Sequence, residues 1–136
     1  MNKFSQRSKS SLIGVHPDLI KLMESAIVDC PIDFTITEGV RTVHRQQELY
    51  AQGRTKKGII VTHTDGIKNK SNHQPKADGY GYAVDLYAYP INVNDTERIA
   101  IIAAHIKKRA KEMNISIEWG GDWKKFKDYP HFELKK

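Results

Sequence analysis

The run SNHQPKADGYGYAVDLY, from Ser71 to Tyr87, decides how the rest of the chain is read. Its second half alternates as an extended strand, so Ala83, Asp85 and Tyr87 share one face while Tyr82, Val84 and Leu86 share the other. Asp85 therefore has a small neighbour, and space for an ion and its water is left against the sheet. Gly79 and Gly81 free the preceding loop to fold His73 back toward that face. A histidine and a carboxylate brought together in this way are candidate metal ligands.

The C-terminal stretch WGGDWKKFKDYPHFELKK, Trp119 to Lys136, supplies a second histidine. If HFEL is a strand, His131 and Glu133 point one way and Phe132 and Leu134 the other. Pro130 favours an extended conformation in the residue before it, so a loop entering a strand is expected here, not a helical HExxH site. Two histidines and one carboxylate, with the fourth position left to water, is an arrangement used by catalytic zinc. A closed structural site normally takes four protein ligands, mostly thiolates, and this chain has one cysteine. Spacing alone leaves a second reading open, in which His73 and His131 are ordinary polar residues.

Working outward, the other elements read as support. His16-Pro17-Asp18 resembles a helix start, followed by an apolar stripe of Leu19, Met23, Ala26 and Ile27 that Pro31 ends. Asp33 to Thr37 reads as a strand with Phe34 and Ile36 inward. Gly39 turns the chain, and Thr42 caps a helix from Val43 to Gln52 that Gly53 terminates. Arg41 falls between that strand and helix, a usual place for a functional side chain on a rigid support. Residues 54 to 81 are the least regular, with a short strand at Ile59 to Thr62; His63 and Asp65 are read as polar loop residues. Asn94 caps a helix, with Glu97 answering it as a capping box, and Ile99, Ile102, Ala103, Ile106, Ala110 and Met113 form its buried stripe. Ile115 to Trp119 alternates as a strand. Residues 1–13 read as a polar arm. The order implies an α+β fold with a small, mainly antiparallel sheet, a metal on one face and flanking helices on the other.

Length and charge bound the function. At 136 residues the chain fits a single domain, 1–136, large enough to bury roughly two-thirds of its unfolded surface. The net charge of +6 and pI near 9.4 favour polyanions, a class that includes nucleic acid and anionic wall polymers alike. The 22 Lys and Arg are scattered, and the two Trp, six Tyr and four Phe do not interleave with a basic stripe, so no nucleic-acid platform is expected. Cys30, before Pro31, reads as a buried hydrophobe. No secretory signal and no membrane span are evident.

Arg41-Thr42, SNH at 71–73, GYAVD at 81–85, GGDW at 120–123 and DYPHFEL at 128–134, with GVHPDL, DFTITEGVRT and QQELYAQGRT before them, resemble in order the blocks of the D-alanyl-D-alanine carboxypeptidase family of zinc peptidases. The similarity is strongest to its phage L-alanyl-D-glutamate endopeptidases, the endolysins, and covers nearly the whole chain. It implies the hedgehog/D-Ala-D-Ala peptidase fold and one zinc ion per chain, held by His73, Asp85 and His131. It also implies Asp128 as catalytic acid/base and Arg41 as the group steadying substrate or oxyanion. Gln46 and Gln47 are read as shaping the cleft, with surface helix positions as the alternative, and Ser71, Trp123 and Glu133 are placed along the cleft or behind the ligands, with Glu133 the alternative base. Eleven residues separate His73 from Asp85, more than the commoner family pattern has. The excess falls in QPKADGY and makes Asp78 a competing ligand.

The activity so implied is hydrolysis of peptidoglycan stem peptides at the L-alanyl-D-glutamate bond, by a monomer with no wall-binding domain, nucleic-acid partner or membrane. The expected setting is the host bacterial cytoplasm, with release to the wall through a holin. A D-alanyl-D-alanine carboxypeptidase and a non-catalytic basic wall- or nucleic-acid-binding module are the alternatives.

Overall fold

Four short strands and four helices make up the fold, in a computed structural model that describes residues 3–62, 64–67, 70–125 and 127–135. In chain order they are α1 (Gln6–Ser11), α2 (Pro17–Asp29), β1 (Phe34–Glu38), α3 (Val43–Ala51), β2 (Ala83–Ala88), α4 (Thr96–Glu112), β3 (Ile117–Trp119) and β4 (His131–Leu134). A 3-10 turn, Gly120–Asp122, follows β3. The strands form one sheet in the order β1-β2-β4-β3, antiparallel throughout.

Register assigns the two faces. Ile36 lies opposite Leu86, Val84 opposite Phe132, and Phe132 opposite Trp119; all are buried. Directly paired residues share a face, so these make a continuous apolar layer. Against it lie α2 and α4, whose buried residues Leu19, Leu22, Met23, Ala26, Ile99, Ile102, Ala103 and Ile106 join the same core cluster. The opposite face carries Asp85 across from His131 and Ala83 across from Glu133. A register shift between Ile36 and Glu38 brings Glu38 opposite Asp85, so a bulge adds the Glu38 carboxylate to the polar face.

Several expectations are corrected. The polar arm expected at residues 1–13 is a docked helix over its described part: α1 lies on β1, the sheet edge, and the buried Ser8 hydroxyl accepts the Ile36 N–H at 3.0 Å. Leu12 is buried and the Phe4 ring meets Phe34 edge-on at 5.7 Å, so two apolar residues and one serine hold a helix of otherwise polar composition. The α4 cap is Asp95, whose carboxylate accepts from Arg98 N, and not Asn94, so Glu97 answers no cap. Residues 59–62 form no strand, and β3 begins at Ile117. His63 lies outside the described residues. Among the described residues no helix is long and apolar enough to cross a membrane.

Candidate metal centre and cleft

Three segments bring their polar groups to one point. The His73 loop is pinned from both sides: Arg41 N donates to His73 O at 2.8 Å, and Tyr82 N to Asn72 O at 2.7 Å. Gly81 is required by that approach, since a Cβ there would stand 2.9 Å from His73 O. Ser71 Oγ accepts the His73 N–H, and the buried Gln74 ties Ser71 N to Gly66 O through its carboxamide. The β2–β4 register sets Asp85 beside His131. Gly120 lets the Asp128 segment cross closely: a Cβ there would meet Asp128 O at 2.1 Å, while Asp128 N donates to Gly120 O at 3.0 Å.

The resulting triangle has His73 Nε2 3.2 Å from His131 Nδ1, with Asp85 Oδ1 3.3 Å from the first and 3.6 Å from the second. Tetrahedral bonds of 2.0–2.1 Å would set such edges at about 3.3 Å. Proton placement agrees with a cation site. His73 Nδ1 lies 2.9 Å from Gly39 O and His131 Nε2 lies 2.6 Å from Glu133 Oε1; a proton on each of these outer nitrogens leaves a lone pair on each inner one. Among the described residues, Asp85 Oδ1 is the one buried side-chain polar atom with no hydrogen-bond partner. Lone pairs of two nitrogens and one oxygen converging at this spacing fit a divalent metal ion, and the three residues form the one such cluster among the described residues.

The surrounding charges are arranged around that point. Burial opposes ionisation of Asp85, but His73 and His131 outweigh it and hold the carboxyl well below the usual carboxylate range. Burial also disfavours a charged His131, yet without an ion the Asp85 and Glu133 carboxylates lift it to about 9, so a cation entering the site would take the place of the Nδ1 proton. Burial pushes Asp128 up, and the negative Asp85 adds to that. Asp128 Oδ2 stands 3.9 Å from His131 Nδ1, close enough to exchange protons with a group at the cluster through one water.

Glu133 is committed elsewhere. Its two oxygens take His131 Nε2 and Asn72 Nδ2, the latter at 2.7 Å. Arg41 is 8% exposed and its guanidinium bonds to both Glu38 oxygens, to Gln46 Oε1 at 2.9 Å and to Asp85 Oδ2 at 3.5 Å. It therefore steadies the second oxygen of Asp85 while Oδ1 faces the cluster. The Trp123 ring leans on His131 at 5.1 Å. Arg41, His73, Asp85, Asp128, His131 and Glu133 all line a cleft of about 630 Å³ that also includes Ser71, Trp123, Lys70, Lys127 and Ile60.

Two expectations about the site change. Gln47 is exposed and does not line the cleft; its neighbour Gln46 is the buried one, bridging Arg41 to Thr62 Oγ1 and Thr64 O. Asp78 does not compete with Asp85. Its oxygens accept from Tyr80 N and Tyr82 Oη within an exposed turn closed by Gly79 N to Lys76 O at 2.8 Å. Reading the sequence also missed Glu38, Asn72 and Gln74. The helix phase from the Thr42 cap separates Gln46 from Gln47, whereas nothing local marks the bulge that recruits Glu38.

A polar sheet face with two imidazoles, a carboxylate between them and an acid alongside defines a metal-dependent hydrolase. The profile described as "Phage L-alanyl-D-glutamate peptidase" matches residues 1–135, and the chain belongs to that family. It is 37% identical over 121 residues to the peptidoglycan L-alanyl-D-glutamate endopeptidase CwlK of Bacillus subtilis, covering 82% of this chain and 66% of that protein. It is 31% identical over 137 residues to the L-alanyl-D-glutamate peptidase of Escherichia phage T5, covering 98% and 90%. The crystal structure of the Serratia marcescens L-Ala D-Glu endopeptidase ChiX superposes with a TM-score of 0.77 at 35% identity, over 98% of this chain and 90% of that one. The vancomycin-resistance D,D-dipeptidase VanXYg shares the fold, with a TM-score of 0.55 at 16% identity over 88% of this chain and 50% of its own.

Proposed function

We propose that the protein is a zinc-dependent peptidoglycan endopeptidase that hydrolyses the L-alanyl-D-glutamate bond of wall stem peptides. The observation that carries this reading is the convergence of His73 Nε2, Asp85 Oδ1 and His131 Nδ1 in an open cleft. Family membership and three L-alanyl-D-glutamate peptidases at 31–37% identity support the choice of bond. The borderline nitrogen and oxygen donor set, free of thiolate, suits zinc with one position left for water.

His73, Asp85 and His131 would hold the ion, which would supply an acidified water near neutral pH and a Lewis acid for the scissile carbonyl. Asp128 removes the proton from the attacking water and delivers it to the departing amine of D-glutamate. Its raised pKa, from burial and the charge of Asp85, suits a group that must be base and then acid. Arg41 fixes Asp85 and, from the cleft wall, offsets the negative charge growing on the tetrahedral oxygen. Glu133, with both oxygens committed, orients His131 and is not the base. Ser71 and Trp123 shape the cleft. All ligands come from one chain, so a monomer suffices. In a phage setting the protein accumulates in the host cytoplasm and reaches the wall through a holin.

Digestion of purified peptidoglycan followed by mass spectrometry tests this reading. New amino termini on D-glutamate are expected. Release of free D-alanine alone would identify a carboxypeptidase instead.

A further inference from the structure

We propose that Asn72 is a positioning residue that couples the two histidine-bearing segments of the metal centre, holding Glu133 so that Glu133 holds His131 with Nδ1 turned inward. The inference rests on the metal-centre reading above. Asn72 Nδ2 donates to Glu133 Oε2 at 2.7 Å, and the other oxygen of that carboxylate lies 2.6 Å from His131 Nε2. A proton on Nε2 leaves the Nδ1 lone pair facing His73 Nε2 and Asp85 Oδ1.

The base from which Asn72 reaches is fixed independently of its side chain. Its carbonyl accepts from Tyr82 N at 2.7 Å and the next carbonyl, of His73, from Arg41 N at 2.8 Å. The reach has room because Glu133 stands opposite Ala83, whose methyl group leaves space beside the carboxylate. A carboxamide suits the position, since it offers a donor without a charge. A carboxylate would repel Glu133, and an apolar residue would leave a largely buried oxygen unpaired. Because Asn72 directly precedes His73, the chain movement that brings one histidine into place also brings the group that orients the other.

The test uses the full-length chain stripped of metal, with Zn2+ affinity measured by competition against a chromophoric chelator and geometry read from the visible spectrum of the Co2+ form. Asn72→Ala is expected to bind Zn2+ about ten- to a hundredfold more weakly and to alter the Co2+ spectrum, with the Tm of the metal-free protein lowered by about 10 °C at most. Asn72→Asp is expected to be at least as damaging. The double variant Asn72→Asp/Glu133→Gln, which reverses the polarity of the pair, is expected to recover affinity toward wild type. Should Asn72→Ala fail to fold, the isosteric Asn72→Asp and the double variant carry the comparison. Unchanged affinity and spectrum, or a double variant no better than Asn72→Asp, would overturn the coupling while leaving the metal centre standing. A wild-type chain that takes up no Zn2+ would instead overturn the metal-centre reading and this inference with it.

Discussion

The two faces of the β2–β4 pair are built from the same ten residues and could hardly differ more. One face presents Val84, Leu86, Phe132 and Leu134, each at most 4% exposed, to α2 and α4. The other presents Asp85, His131 and Glu133 to an open cleft. Strand alternation separates them completely, so the polar cluster takes nothing from the core. The apolar face also serves the polar one: close packing of Phe132 and Val84 fixes the backbone from which His131 and Asp85 project, and a metal site needs that precision.

If the faces divide labour in this way, substitutions on each should fail differently. The largest effect is expected from the ligands. His73→Ala should reduce wall clearing to background and zinc content, by elemental analysis, well below one per chain, with circular dichroism retained; full chelation of the wild type should do the same until zinc is returned. Next comes Asp128→Asn, for which kcat should fall by about 10²–10⁴ with zinc content unchanged. Phe132→Ala, one residue from a ligand but on the other face, should cost about 3–5 kcal/mol of stability in denaturant titration. The folded fraction should still bind zinc.

The smallest effect lies at the N-terminus of α4. Arg98, by side-chain hydrogen bond and ion pair, holds Asp95 below its ordinary 3.8. A carboxyl depressed on folding stabilises above its unfolded value and loses that contribution as pH falls through its folded one. The Tm of the wild type should therefore drop more steeply below pH 3.8 than that of Asp95→Asn, with activity at neutral pH the same in both.

Legibility in the sequence followed the same division. Alternation in HFEL and in VDLY of the YAVDLY run announces both faces, because apolar and ionisable residues follow one another there at every step. The helix stripes of α2 and α4 are equally plain. What escaped depends on contacts between distant segments or on phase. Gln46 and Gln47 differ by one helical step; the helix phase separates them, and the buried bonds to Arg41 and Thr64 show which of the two the site uses. Asn72 is an unremarkable loop residue until the fold brings it to Glu133, sixty-one positions away. The α1 helix hides because a single serine hydroxyl, meeting the β1 edge, does much of its docking. Asp78 was the weaker rival of Asp85 already in the sequence, since it sits among turn formers, and its oxygens do close that turn.

The most direct test of the metal centre is anomalous diffraction at the zinc edge from crystals of the purified protein. One strong peak is expected within about 2.0–2.2 Å of His73 Nε2, Asp85 Oδ1 and His131 Nδ1. A map with no peak there, and with the two imidazoles turned into separate regions, would contradict it.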